Sequence, residues 1–171
     1  MSKSESARAT TAAEARFRIN DPNSQPRAVK VIALDAASEK LVDDIAKDNW
    51  NRAAFFTASA FAEAPAQGAG FSMKGWLSDL AGRTKDLIAE IDSADLVVMV
   101  ASAGASAEAA SIIGEACWLR KVMTTALVVG SAAQSDAALA KTLSNLRPHT
   151  QMLVIASDDD YIKDMLTALR A

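Results

Sequence analysis

Cysteine, histidine and aromatic residues are scarce in this sequence, and each scarcity excludes a kind of structure. The only cysteine, Cys117, cannot form a disulfide within the chain, so we expect a reducing compartment. One histidine and one cysteine are too few for a zinc site built from these residue types, and no metal site is predicted. Aromatic residues make up 5% of the chain and hydrophobic residues 50%, which favours a core of closely packed small aliphatic side chains.

Long apolar runs and an excess of basic charge are also missing. No stretch approaches the roughly 18 apolar residues that a membrane span needs, and the polar residues 1–27 lack the apolar centre of a signal peptide. We therefore expect a cytoplasmic location without membrane insertion. The net charge of −3 argues against a nucleic-acid partner, which would require a basic face. The remaining candidate partners are a second copy of the chain and another protein.

The 171 residues suffice for one domain and are too few for two of ordinary size. Residues 1–27 are polar and end in a proline-containing run, Asp21–Pro26, so we predict a flexible N-terminal arm in which Thr11–Arg18 could form a short helix. Residues 28–171 are predicted to form the folded domain.

Short apolar runs rich in β-branched residues alternate with helical patterns throughout the predicted domain. This alternation predicts an α/β fold, a doubly wound three-layer α/β/α sandwich with about five mostly parallel strands. Right-handed crossovers then give a doubly wound sheet, and we expect the strand order 2-1-3-4-5 in it. The predicted strands are Ala28–Leu34, Ala53–Thr57, Asp95–Ala101, Val122–Val129 and Met152–Ala156; the predicted helices are Ala37–Asp48, Gly75–Ser93, Glu108–Leu119, Ala132–Asn145 and Asp159–Arg170; Ser59–Phe71 is predicted to be a loop.

The predicted strand order locates a ligand crevice, because ligands of doubly wound sheets bind at the carboxyl ends of the strands where the winding reverses. That point lies between the first and third strands. The second of the two loops there is made of small residues and precedes a helix, whose free amides attract anions. The candidate ligand-binding residues are Asp35, Ala36 and Ser38 in the first loop and Ser102, Ala103, Gly104 and Ser106 in the second.

The same two loops also have a purely structural interpretation, which the sequence favours. Asp35 and Ser106 are residue types that cap helices, so each could simply begin the helix that follows it. The methyl groups of Ala36 and Ala37 would crowd a pyrophosphate at a turn where dinucleotide-binding folds carry glycine. Glu108 would repel a phosphate from the start of the second helix.

Three further features have chemical potential but a simpler structural alternative. The acidic run Asp158–Asp160 could hold Mg²⁺ together with Asp35, but it more readily complements the dipole of the last helix. His149 has no nucleophile beside it in the sequence and is predicted to be a surface or structural residue. Cys117 is predicted to be a small buried hydrophobe.

Four aromatic residues could form an exposed patch for self-association, or they could cover the sheet. They are Trp50, Phe61, Phe71 and Trp76.

Four blocks of the sequence resemble, in the same order, the GTPase domain of FtsZ, the bacterial relative of tubulin. They resemble its opening strand and turn, its second strand, its signature-loop region, and the strand that enters its central helix. The blocks are Lys30–Asp35, Phe55–Ala60, Ala94–Ala101 with Ala109–Glu115, and Leu146–His149 with Leu153–Ile155 and Asp158.

The resemblance covers most of Ala28–Arg170 and implies a Rossmann-like fold with a ligand crevice. The family's signature loop is a run of glycines and threonines, whereas Ser102–Glu108 keeps a single glycine, and the glycines of the first turn are replaced. We therefore expect no GTP hydrolysis. Because the sequence ends near where the family's central helix would continue, we also expect the family's second domain and its acidic catalytic loop to be missing. The leading hypothesis is a non-catalytic binding or regulatory module. A nucleotide- or small-anion-binding protein and an enzyme of another class remain alternatives, and the sequence specifies no cofactor.

Overall fold

The computed structural model describes residues 25–58, 77–79, 84–130, 135–156 and 160–171. The predicted loop Ser59–Phe71 and all but the last three residues of the predicted arm lie outside these ranges. Within them the elements are β1 (Val29–Ala33), α1 (Ala36–Ala46), β2 (Ala53–Thr57), β3 (Leu77–Asp79), β4 (Thr84–Lys85), α2 (Leu87–Asp92), β5 (Leu96–Ser102), α3 (Ala109–Arg120), β6 (Met123–Val129), α4 (Asp136–Leu146), a 3-10 helix (Arg147–His149), β7 (Met152–Ile155) and α5 (Asp160–Ala168).

Five neighbouring strands of the sheet are parallel, in the order β2-β1-β5-β6-β7. This is the predicted order 2-1-3-4-5, and it is confirmed. In the register of the sheet, Val31 of β1 lies between Phe55 of β2 and Val98 of β5. Since β1 and β5 are neighbours although β2, β3 and β4 lie between them in sequence, the winding reverses between β1 and β5, as predicted.

The helices cover both faces of the sheet and create two buried clusters. Alternate residues of β5 belong to opposite clusters: Val97 and Met99 pack with α2, α3 and α4, whereas Val98 and Val100 pack with α1 and α5. All four side chains are fully buried. A strand that is apolar at every position therefore needs helices on both sides, and the predicted three-layer sandwich is confirmed.

The prediction of one helix over Gly75–Ser93 is wrong. The described part of this segment forms β3 and β4, and only Leu87–Asp92 is helical. β3 pairs antiparallel with β2, and β4 pairs antiparallel with β3, so two short strands extend the sheet beyond its parallel part. Pairing with the open edge of β2 overrides the local helical pattern, because β-sheet hydrogen bonds are decided by a distant strand rather than by local spacing.

Helix α2 begins where a side chain can cap it. Asp86 accepts hydrogen bonds from the backbone N–H groups of Ile88 and Ala89, at 2.9 and 3.4 Å, and thereby satisfies amides that the first turn leaves unpaired. In the described ranges, no helix combines the length and the apolar character that crossing a membrane requires.

Candidate functional site

The two predicted loops meet at the carboxyl ends of β1 and β5, and Asp35 joins them. Its Oδ2 accepts a hydrogen bond from the backbone N–H of Ser102 at 2.8 Å, and its Oδ1 accepts one from the Ser102 hydroxyl at 2.9 Å. The same Oδ1 accepts from the backbone N–H groups of Ala37 and Ser38, at 3.0 and 2.9 Å. One carboxylate therefore accepts four hydrogen bonds from both sides of the predicted crevice.

Asp35 is the N-cap of α1, which confirms the structural interpretation of this residue. Ser38 is fully buried and completes a capping box, because its hydroxyl oxygen accepts from the backbone N–H of Asp35 and donates to the Asp35 carbonyl. Ala36 and Ala37 are exposed beside this cap. The amides at the start of α1, to which a phosphate would bind, thus already hold the protein's own carboxylate.

The second loop is tied to β6 and α4. The N–H of Ala103 donates to the carbonyl of Val129 at 2.9 Å, and the N–H of Gly104 donates to the hydroxyl of Thr142 at 3.0 Å. The fully buried Thr142 hydroxyl in turn donates to the carbonyl of Ala105 at 3.0 Å. Gly104 has a φ of 87°, a backbone conformation that residues with a side chain rarely adopt, so this turn favours glycine at position 104.

The predicted role of Ser106 as a helix cap is wrong. Helix α3 begins at Ala109, its N-cap is Glu108, and the Glu108 side chain makes no capping hydrogen bond. Ser106 is partly exposed and precedes Ala107, which is buried. Helix α3 therefore begins one residue after its predicted start at Glu108, and its N-cap lies two residues beyond Ser106. Ala107 and Ala109, on either side of Glu108, are buried in the core.

The structure confirms the prediction for Cys117, whereas part of the acidic run Asp158–Asp160 lies outside the described residues. Cys117 is buried, and burial raises the pKa of its thiol to about 12, so it is the small hydrophobe that the sequence predicts. Asp158 and Asp159 lie outside the described residues, whereas Asp160 begins α5. Among the described residues, no group of three or more acidic, histidine or cysteine side chains could hold a metal ion.

Trp50 covers the core rather than forming an exposed patch. Its indole N–H donates to the carbonyl of Ile45 at 2.9 Å, and its ring lies 6.4 Å from that of Phe55. Trp50 packs against the cluster beneath α1. The other members of the predicted patch, Phe61, Phe71 and Trp76, lie outside the described residues.

His149 is in a concave surface that the sequence did not indicate. Two adjoining concavities, of about 390 and 430 Å³, share Ser111 and His149 and run along the outer side of α3. We call this surface the α3 groove. It is lined by Ala107, Glu108, Ser111, Gly114, Glu115, Trp118 and Val122 of α3 and its flanks, by Thr124 of β6, and by Ser144, Asn145 and 148–151.

The α3 groove is formed by a close approach of two backbones. A Cβ atom on Gly114 would lie 2.6 Å from the Cβ of His149 and 2.7 Å from its carbonyl oxygen. The 3-10 helix therefore rests directly on the middle of α3, where only glycine fits. The contact is made by the backbone and Cβ of His149, so a surface or structural role for its imidazole stays a prediction.

Trp118 stands at one end of the α3 groove with 77% of its surface exposed, the largest exposed fraction among the large hydrophobic residues described. The sequence contains one signal of this surface, which is the spacing of four residues on one face of a helix. They are Glu108, Ser111, Glu115 and Trp118, which follow one another at intervals of three or four positions. That face is polar with a single indole, but sequence spacing alone did not show that a second element would form its opposite wall.

No protein-family model matches the chain, and no curated protein matches it significantly.

Proposed function

We propose that this chain is a non-catalytic, FtsZ/tubulin-like Rossmann domain that acts as a binding or regulatory module. The observation that supports the proposal most is the Asp35 carboxylate, which accepts four hydrogen bonds where the loops after β1 and β5 meet. In a nucleotide-binding relative of this fold, backbone amides at that position would contact phosphate oxygens.

Electrostatics makes the same position unfavourable for a phosphate. A phosphate bound at the start of α1 would have to displace the Asp35 oxygens from the amides of Ala37 and Ser38, and would then face the displaced negative charge. Glu39, in the first turn of α1, adds a second carboxylate close to that position. A second copy of the chain or another protein is therefore a better candidate partner than a nucleotide.

Hydrolytic chemistry at Ser102 would also lack an available base. The only carboxylate that the structure brings to the Ser102 hydroxyl, within the described residues, is that of Asp35. The lone pairs of Asp35 Oδ1 are shared with two backbone N–H groups, which favours a cap over proton transfer. His149 lies against Gly114, in the middle of α3.

Nucleotide binding is the direct test of the proposal. A ligand bound with a Kd of about 100 µM would raise the Tm by about 4 °C at 1 mM, because it stabilises only the folded state. We expect GTP, ATP, NAD and coenzyme A each to leave the Tm unchanged within about 1 °C at that concentration. Differential scanning fluorimetry measures this, and phosphate release from GTP measures turnover.

A result that contradicts the proposal would be steady GTP hydrolysis that disappears in Gly104→Val. This variant disturbs the second loop at its positive-φ glycine. The matched control is Gly130→Val, which has the same kind of strain, a φ of 70°, in the turn after β6. Loss of hydrolysis in the first variant alone would assign activity to the loop between β5 and α3.

A further inference from the structure

We propose that the α3 groove binds a basic segment of another polypeptide, with an arginine or lysine side chain placed over the indole of Trp118 and beside Glu115. The inference rests on the proposed function, since it gives a binding module the chemistry of its partner. Three properties of the groove support it: shape, charge and the exposed indole.

The shape of the α3 groove fits an extended chain better than a compact ligand. Glu108 and Trp118 mark its two ends on α3, and ten residues of helix at about 1.5 Å each give a length of about 15 Å. An extended peptide advances about 3.3 Å per residue, so the groove accommodates about four or five residues. Two adjoining concavities, rather than one deep cavity, are what successive side chains of a bound peptide would fill.

The charge of the α3 groove selects a cationic partner. Glu108 and Glu115 line the groove, whereas no lysine or arginine among the described residues lines either concavity. Neither glutamate has an ion pair with any residue in the described ranges. Two uncompensated carboxylates on one helix face attract a basic segment and disfavour an acidic one.

The indole of Trp118 would make a second contact with the cationic side chain. The face of an indole attracts a guanidinium or ammonium group through its negative electrostatic potential, and tryptophan is the strongest such partner among the aromatic residues. Trp118 and Glu115 both line the larger concavity, so one cation can contact the ring and the carboxylate together. Val122 and Pro148 line the same concavity and offer apolar contact to the aliphatic stem of the cationic side chain.

The walls of the groove are fixed in the absence of a partner. The contact between Gly114 and His149 holds the 3-10 helix against α3. Thr150, the residue after the 3-10 helix, is held by its own hydroxyl, which donates to the carbonyl of Leu146 at 3.1 Å. A preformed groove loses little conformational entropy on binding, which favours affinity for a short segment.

The test is binding of a fluorescently labelled six-residue peptide, measured by anisotropy at about 50 mM salt, where screening of exposed charges is weak. The peptide carries two arginines in a glycine–serine background. A matched peptide carries citrulline at both positions, which keeps the shape and removes the charge. We expect the arginine peptide to bind about tenfold more tightly than the citrulline peptide, and to weaken as salt is raised.

Variants of the protein locate the site. We expect Trp118→Ala to weaken binding of the arginine peptide about fivefold, the size of an exposed cation–π contact, and Glu115→Gln about threefold, the size of an exposed ion pair. Two controls should bind as the unmodified protein does. Leu119→Ala removes an exposed apolar side chain that does not line the groove, and Asp164→Asn removes a carboxylate on α5, on the other face of the sheet.

Three results would overturn the proposal: equal binding of the two peptides, no binding of either, or binding that is indifferent to Trp118→Ala and Glu115→Gln. A concentration-dependent dimer that Trp118→Ala abolishes, seen by sedimentation equilibrium, would instead assign the groove to a second copy of the chain. None of these outcomes bears on nucleotide binding at Asp35, so failure here is distinguishable from failure of the proposed function.

Discussion

At the end of the sheet, a single residue makes contacts that neither its sequence neighbours nor its residue type fully predicts. Asp35 was predicted to cap a helix, and it does. The cap is only half of its role, because its second oxygen also holds the backbone of Ser102, which lies 67 positions away in the chain. A single carboxylate thereby fastens the loop after β5 to the start of α1.

Asp35→Ala should be markedly destabilising. It removes an N-cap, which contributes about 1 kcal/mol, and also the two hydrogen bonds from Ser102 to a charged acceptor. We expect a loss of about 2–3 kcal/mol in the free energy of unfolding, measured in urea. The control is Ser135→Ala, which removes the single capping bond of α4 and should cost about 1 kcal/mol or less. Equal losses in the two variants would contradict the joining role of Asp35.

Cys117 gives the folded protein a pH dependence of known sign. Burial raises the pKa of its thiol from 9.0 to about 12, so the unfolded chain loses this proton at lower pH than the folded protein. The stability linked to the protonated thiol is complete below about pH 9 and is lost as the pH rises toward 12. Between pH 8 and pH 10 we expect the unfolding free energy to fall by about 1 kcal/mol more in the unmodified protein than in Cys117→Ala. Parallel pH profiles would contradict this.

At the scale of elements, the contact between α3 and the 3-10 helix restricts position 114 to glycine. Alanine is a better helix former than glycine by about 1 kcal/mol, so propensity alone predicts that Gly114→Ala stabilises α3. The added Cβ would lie 2.6–2.7 Å from atoms of His149, one of them a backbone oxygen that cannot turn away.

Gly114→Ala should therefore destabilise the protein by about 1–3 kcal/mol, because overlap with a fixed backbone exceeds the gain in propensity. Chemical denaturation measures the change. Ser111→Ala, at an exposed position one turn earlier on α3, combines a gain in propensity with the loss of one exposed hydrogen bond from its hydroxyl to the carbonyl of Glu108, and should change the free energy of unfolding by no more than about 0.5 kcal/mol. A stabilised Gly114→Ala would show that the 3-10 helix can move away from α3 at little cost.

At the scale of the whole molecule, one sheet carries both buried clusters, so the two faces should unfold together. Ile113 of α3 and Ile162 of α5 are both fully buried, on opposite faces. We expect Ile113→Ala and Ile162→Ala each to lower stability by about 2–5 kcal/mol, and each to leave one unfolding transition that fluorescence and circular dichroism report at the same denaturant concentration. Separate transitions in either variant would mean that one helical layer detaches alone.

Sequence alone determined the parallel core of this protein. Most positions of its strands are apolar, and strand and helix patterns alternate along the chain, so the layers followed from general rules of sheet burial and chain crossover. The strand order was one expectation among the orders that a doubly wound sheet allows. The positions of β1, β2, β5, β6 and β7 match their predicted segments closely. The cap at Asp35 was equally local, since it needs only the residues up to Ser38.

Tertiary structure decided what depends on residues far apart in the chain. β3 and β4 replaced a predicted helix because β2 had an edge to extend; the link from Asp35 to Ser102 and the α3 groove both join segments more than 30 residues apart. Local sequence patterns report periodicity and capping, which act within one or two turns. Contacts between distant segments depend on how the layers pack, and packing is a property of the folded chain as a whole.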